Sequence, residues 1–180
     1  MTISRPELVD AGGHSDRGFR QLVYDLSVAG TQLEVARAYL ASQLGISSPQ
    51  YNIMMVVAQY QLVEGVSISE VARHLHVTTA HVGAEVKTLE ANGGIQRIVN
   101  PNDRRSTLLK LTPSSELRIN ELGDELRFVN DHLFRNLTGS DFSTLSRLVS
   151  HLVDDFSETI ALLQAMQAKR RRAEARSGKQ

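Results

Sequence analysis

Apolar and polar residues alternate along this chain with two different periods, and the change of period divides it. From about residue 17 to residue 44, apolar side chains recur at Leu22, Leu26, Ala29, Leu33, Ala36 and Leu40. Steps of three and four predict one long amphipathic helix, with Gly45 as its stop. Ser48 followed by Pro49 predicts the start of a second helix, whose apolar content lies between Tyr51 and Tyr60. Ser67 and Glu70 form an S-x-x-E capping box before Ile68, Val71, Ala72 and Leu75, which share one face of a short third helix. After a turn through His76-Val77, Thr78 can cap a fourth helix with Val82, Val86 and Leu89 on one side, ending at Asn92-Gly93-Gly94.

The period then shortens. Ile95 to Val99 and Ser106 to Leu111 read as strands, and Asn100-Pro101-Asn102-Asp103 between them is turn chemistry. This predicts a hairpin with Arg104 and Arg105 at its tip. Thr112-Pro113 opens another long helix, with a heptad-like seam at Ile119, Leu122, Leu126, Val129 and Leu133. Thr138 and Asp141 cap a last helix carrying Leu145, Leu148, Leu152, Phe156, Ile160 and Leu163. The first sixteen residues, with Pro6 and Gly12-Gly13, read as a flexible arm.

The expected fold is therefore mostly α with a small two- or three-stranded β-wing. Two short helices joined by a tight turn and followed by a hairpin make a winged helix-turn-helix, here over residues 46–113. A helix with its side chains is about 10–12 Å wide and the DNA major groove about 12 Å, so the second helix of such a pair fits the groove. The side of the fourth helix opposite Val82, Val86 and Leu89 carries Thr79, Ala80, Gly83, Ala84 and Lys87, with His81 at its edge. These residues are expected to face the groove. Glu85 stands near that face and would repel phosphate.

Charge sharpens this picture. The 180 residues hold 20 basic and 20 acidic side chains, yet the signs are segregated. Residues 66–113 carry a net charge of +2, residues 114–168 carry −5 and residues 169–180 carry +5. A neutral total does not exclude a polyanionic partner, because the position of the positive charge decides.

The run Val99-Asn100-Pro101-Asn102-Asp103-Arg104-Arg105-Ser106 through Leu109-Lys110-Leu111-Thr112 resembles the wing of MarR-type transcriptional regulators, with its D-x-R tip and closing L-x-L-T. The resemblance takes in Ser67 to Leu75, Leu89 to Gly93 and the opening Ser48-Pro49-Gln50-Tyr51, and its order of elements covers residues 17–168. It implies a homodimeric repressor of double-stranded DNA, often released by a small, frequently aromatic, effector. By the same resemblance Arg105 enters the minor groove, and Asp103 organises the wing by an ion pair to it. Arg104, the variable residue between them, meets phosphate. Residues 17–44 and 114–168 would form the helical dimerisation region. Relatives often carry arginines or hydroxyls along the recognition helix, where this chain offers mostly small residues. A second reading follows from that departure: a helical dimerisation protein whose degenerate winged domain binds a protein partner.

Other chemistry is sparse. Cysteine is absent, which excludes disulfides, thiol nucleophiles and cysteine-ligated zinc. The six histidines show no one-face ligand spacing, and His74 and His76, two apart, point to different sides of a helix. No metal or other cofactor is expected. No catalytic motif is present, so no enzymatic activity is expected. The longest wholly apolar run, Ile53 to Ala58, is far shorter than the roughly 20 residues of a membrane span. Glu7, Asp10 and Asp16 near the start argue against a secretory leader, so the expected location is cytoplasmic. Tyr39, Tyr51, Met54 and Met55 could line a ligand pocket or simply pack in the core. The basic tail, residues 169–180, reads as disordered, with nucleic acid or a membrane surface as possible partners.

Overall fold

A computed structural model describes residues 1–62 and 64–177. The described elements run α1 (Arg17–Gln43), α2 (Ser48–Tyr60), α3 (Ile68–Leu75), α4 (Thr79–Ala91), β1 (Ile95–Asn100), β2 (Asp103–Leu111), α5 (Pro113–Glu121), α6 (Gly123–Leu133) and α7 (Gly139–Ser177). Two compact units result, Met1–Val129 and a second from Asn130 onward. Residues 114–129 thus belong to the same unit as the winged helix, whereas the sequence pattern groups them with the last helix.

Local chemistry sets the element ends. Helix α1 stops in a Schellman turn: Gly45, at φ +68°, donates to Ser42 O, and Ile46 donates to Ala41 O. The cap of α2 is Ser47, not Ser48. Ser47 Oγ accepts from the Gln50 N–H and Gln50 Oε1 accepts from the Ser47 N–H, a reciprocal box that Ser48 has no partner to make. The Ser67–Glu70 box and the Thr78 and Thr112 caps form as expected. His76 closes α3 in the left-handed region, at φ +52°.

The helix expected over residues 113–133 is interrupted at Leu122. Its N–H still reaches Arg118 O, and the ladder resumes from Leu122 O to Leu126 N at 2.9 Å. Gly123, which follows, costs about 1 kcal/mol relative to alanine inside a helix and weakens it there. Leu122 itself is buried, so the interruption drops an apolar side chain into the interior.

One core serves the winged helix. Ile53 and Val57 of α2, Val71 of α3, Val82, Val86 and Leu89 of α4, Ile95 of β1 and Leu109 of β2 are all nearly inaccessible to solvent. A second cluster joins Leu40, Ala41 and Leu44 to Tyr51 and Leu122. The wing is two antiparallel strands, with one further bridge from Val66 to Leu109. Gly65 precedes that bridge at φ +99°, and a Cβ there would lie 2.9 Å from Leu108 Cβ, so only glycine fits.

The amino-terminal arm, expected to be flexible, makes specific contacts with the start of α1. Asp10 accepts the Arg17 and Gly18 N–H groups at 3.0 and 3.1 Å and so satisfies the open end of α1. Asp16 is buried, accepts from the Thr2 N–H and hydroxyl, and pairs with Arg20. Both carboxyls lie below the ordinary aspartate range, Asp10 chiefly through the Ser15 hydrogen bond and Asp16 chiefly through the Thr2 N–H.

In the second unit, α7 carries an apolar stripe at Phe142, Leu145, Leu148, Leu152, Phe156, Ile160, Leu163 and Met166, most of it exposed. A capping box of Thr138 and Asp141 opens the helix. It continues through Lys169–Arg172 to Ser177, where the sequence pattern has a disordered tail. Lys, Arg, Ala and Glu, which dominate this stretch, are all strong helix formers. Residues 178–180 of that tail lie outside the described residues.

Candidate nucleic-acid interface

The exposed side of α4 is built by subtraction. Val82, Val86 and Leu89 turn into the core, which leaves Thr79, Ala80, His81, Ala84 and Lys87 on the surface, as their spacing predicts. Gly83 is half-buried, yet a Cβ built on it would meet nothing within 4 Å, so the helix backbone is open there. Glu85 does not lie on this surface as an unpartnered acid. Its carboxylate accepts from Gln50 Nε2 at 3.0 Å in a partly buried contact with α2. The same Gln50 completes the Ser47 box, so one amide ties the start of α2 to the recognition-type helix.

The wing tip has a specific irregularity. Pairing runs in register from Ile95 opposite Leu111 to Val99 opposite Thr107, then jumps to Asn100 opposite Asp103. Arg104, Arg105 and Ser106 are therefore looped out of the ladder, and a bulge of this kind re-aims side chains. Both arginines are exposed, and among the described residues neither is engaged in an ion pair. Asp103 organises the tip by a route other than the expected ion pair. Its Oδ1 accepts the Arg105 backbone N–H at 3.0 Å, which fixes the backbone and leaves the guanidinium available.

Two further residues hold the tip, and the motif alone does not reveal them. Asn100 Oδ1 accepts the Asn102 N–H at 2.9 Å, an Asx turn, and Asn100 Nδ2 donates to Ser106 Oγ at 3.0 Å. Asn102 in turn donates to Glu64 at 3.3 Å. The signal for the Asx turn was the Asn-Pro-Asn run itself. Arg97, by contrast, is committed to Glu90 at 3.1 Å.

The remaining candidates divide differently. Tyr51 and Met54 are core residues, Met55 is half-buried, and Tyr39 is exposed with its hydroxyl donating to Glu125. Beside them lies an open cleft of about 230 Å³ lined by Gln43, Leu44, Arg118, Glu121, Leu122 and Glu125. Arg118 closes one wall by donating to Leu44 O at 2.5 Å, at the carboxyl end of α1. His74 stacks on Tyr60 with centroids 3.9 Å apart. Among the described residues no three His, Asp or Glu side chains are grouped to hold a metal. Among them, too, no helix is long and apolar enough to cross a membrane.

Residues 46–107, which contain α2 to α4 and the bulged tip, match the family model described as MarR family. The winged segment of this chain is thus similar to the MarR family over about a third of the chain's length. A curated relative, the HTH-type transcriptional regulator BilQ of Clostridioides difficile (strain CD3), is 24% identical over 94 residues, 52% of this chain. The match spans 63% of that relative's length. Among solved structures, the fold is similar to a cysteine-to-serine mutant of MarR from E. coli complexed with operator DNA. The TM-score is 0.61 at 20% identity, over 73% of this chain and 93% of that one. A MarR/EmrR family transcriptional regulator from Acinetobacter sp. ADP1 gives a TM-score of 0.65 at 18% identity, over 77% and 96%. The MepR–DNA complex of S. aureus gives 0.63 at 16%, over 74% and 96%. At these identities the MarR-like structures establish the winged-helix architecture, mostly α with a two-stranded sheet.

Proposed function

We propose that this chain is a MarR-family member, a homodimeric, non-enzymatic transcriptional regulator that binds double-stranded DNA and acts as a repressor in the cytoplasm. The observation that carries the proposal is the wing tip: two exposed arginines, with no ion pair among the described residues, looped out of a hairpin whose backbone is held by Asp103 and Asn100. In this reading α4 lies in the major groove with Thr79, Ala80, His81, Gly83, Ala84 and Lys87 toward the bases. Arg105 reaches the minor groove, where arginine is favoured by enhanced negative potential, and Arg104 meets phosphate. The relatives crystallised with DNA support this placement by analogy of fold.

Dimerisation is supported by apolar surface. Leu22, Tyr24, Val28 and Val35 of α1 and Phe142, Phe156, Ile160 and Leu163 of α7 are all 52–66% exposed, apart from any partner. Large apolar side chains left this exposed on helices are a feature of interaction sites. Residues 17–44 and 114–168 of two copies would bury them across a twofold axis, an isologous contact. A small molecule, aromatic in many relatives, would regulate by binding two dimer geometries with different affinity.

The deciding experiment is a fluorescence titration of random-sequence duplex DNA at low and moderate salt, with the unmodified chain and with Arg105→Ala. Salt-sensitive binding that weakens in the variant is expected. Absence of duplex binding at low salt would instead favour a winged domain turned to a protein partner.

A further inference from the structure

The wing and α4 do not use the strongest positive charge in the molecule, which lies near the end of α7. Lys169, Arg170, Arg171 and Arg172 are consecutive, helical and exposed. Successive helical residues are about 100° apart, so four of them spread around the whole circumference and form a collar. The apolar stripe of α7 ends at Met166, immediately before it. Charge changes sign at the same place: residues 139–168 carry a net −3 and residues 169–180 a net +5.

Two ordinary roles do not account for the collar. Cations stabilise a helix dipole within its last turn, and α7 runs to Ser177, so Lys169–Arg172 lie before that turn. A solvated charged face would intersperse acids at i+3 or i+4. Here a single acid, Glu174, three residues after Arg171 and four after Arg170, faces four consecutive cations, and among the described residues none of the four forms an ion pair. Lys169 and Arg172, three apart, repel each other. Such a cluster is relieved by a polyanion.

We propose that Lys169–Arg172 form a second nucleic-acid contact, a sequence-independent clamp on the phosphodiester backbone of duplex DNA, separate in the chain from the wing. Duplex DNA is favoured over an anionic lipid surface because residues 169–180 contain no large apolar or aromatic side chain to insert between headgroups. This inference rests on the DNA-binding reading given above and extends it.

The test uses the full chain beside two variants: one ending after Ala168, and one with Lys169→Gln, Arg170→Gln, Arg171→Gln and Arg172→Gln, which keeps the helix-forming character of the segment. Affinity for random-sequence duplex is measured against sodium chloride concentration. Each phosphate neutralised contributes about 0.9 to the slope of log K on log salt, so both variants are expected to lose about 3–4 units of slope per bound chain. The loss should be the same on random and on selected sequences. Unchanged slopes in both variants, with Arg105→Ala still weakening binding, would overturn the clamp and leave the wing intact. Collar-dependent binding to phosphatidylserine vesicles with unchanged duplex slopes would overturn it in favour of lipid. No duplex binding by the full chain would overturn both readings together.

Discussion

Asp103 and Arg105 are two residues apart, and their relation decides how the wing works. The carboxylate accepts the backbone N–H of Arg105 and leaves its guanidinium free for DNA. Arg105→Ala is expected to cost about 1–3 kcal/mol of binding, by analogy with a lost specific contact. It should also lower the salt slope by about one unit. Asp103→Ala removes a negative charge and should still weaken binding, because the bulge loses its anchor. Asp103→Asn should not, since an amide oxygen accepts the same N–H. A titration of the two Asp103 variants checks this: equal loss in both would restore the side-chain ion pair. The D-x-R spacing implies a contact between Asp103 and Arg105 but not the atoms that make it, because spacing cannot distinguish a main-chain donor from a side-chain one. Glu85 was legible in the opposite sense. Its charge suggested repulsion at the groove, and only the approach of Gln50 from α2, 35 positions earlier in the chain, shows where the carboxylate goes.

At the scale of elements, most helix starts were legible because caps are local chemistry. Ser67–Glu70, Thr78, Thr112 and Thr138–Asp141 all act as their spacing predicts. The cap of α2 falls at Ser47, one residue before the Ser48 that the adjacent Pro49 suggests. The contacts of the amino-terminal arm, Asp10 to Arg17 and Thr2 to Asp16, are ones that no periodicity encodes. These caps have a pH signature. Asp10, Asp16, Glu70 and Asp141 are all held below their ordinary values of 3.8 or 4.5 by hydrogen bonds to the ionised form. Their contribution is therefore complete above those values and lost as pH falls through and below them. Amide exchange at Arg17 and Gly18 should accelerate relative to the α4 core as pH is lowered from 5 toward 3, after correction for intrinsic rates. Constant relative protection would contradict the role of Asp10. Gly83 offers a second element-level test. In the free protein a methyl group there meets nothing, so Gly83→Ala should raise stability by about 0.5–1 kcal/mol in denaturant unfolding. If α4 lies close against DNA, Gly83→Leu should meanwhile weaken duplex binding, and unchanged binding would move the interface away from that face.

For the whole molecule, the exposed apolar side chains of α1 and α7 are the basis of the proposed dimer, in which a second copy would cover them. Sedimentation at micromolar concentration should give a dimer without DNA; a monomer would remove the basis for paired half-sites. With twofold symmetry, two recognition helices would meet half-sites about one helical turn, roughly 34 Å, apart. The most direct measurement is selection of bound duplexes from a fully random DNA pool, followed by sequencing. Enrichment of near-palindromes with half-sites centred about 10 base pairs apart is the expected result. Recovery of a pool with no enriched sequence, or of single unsymmetrical sites, would contradict a symmetric dimer reading DNA through α4 and the wing.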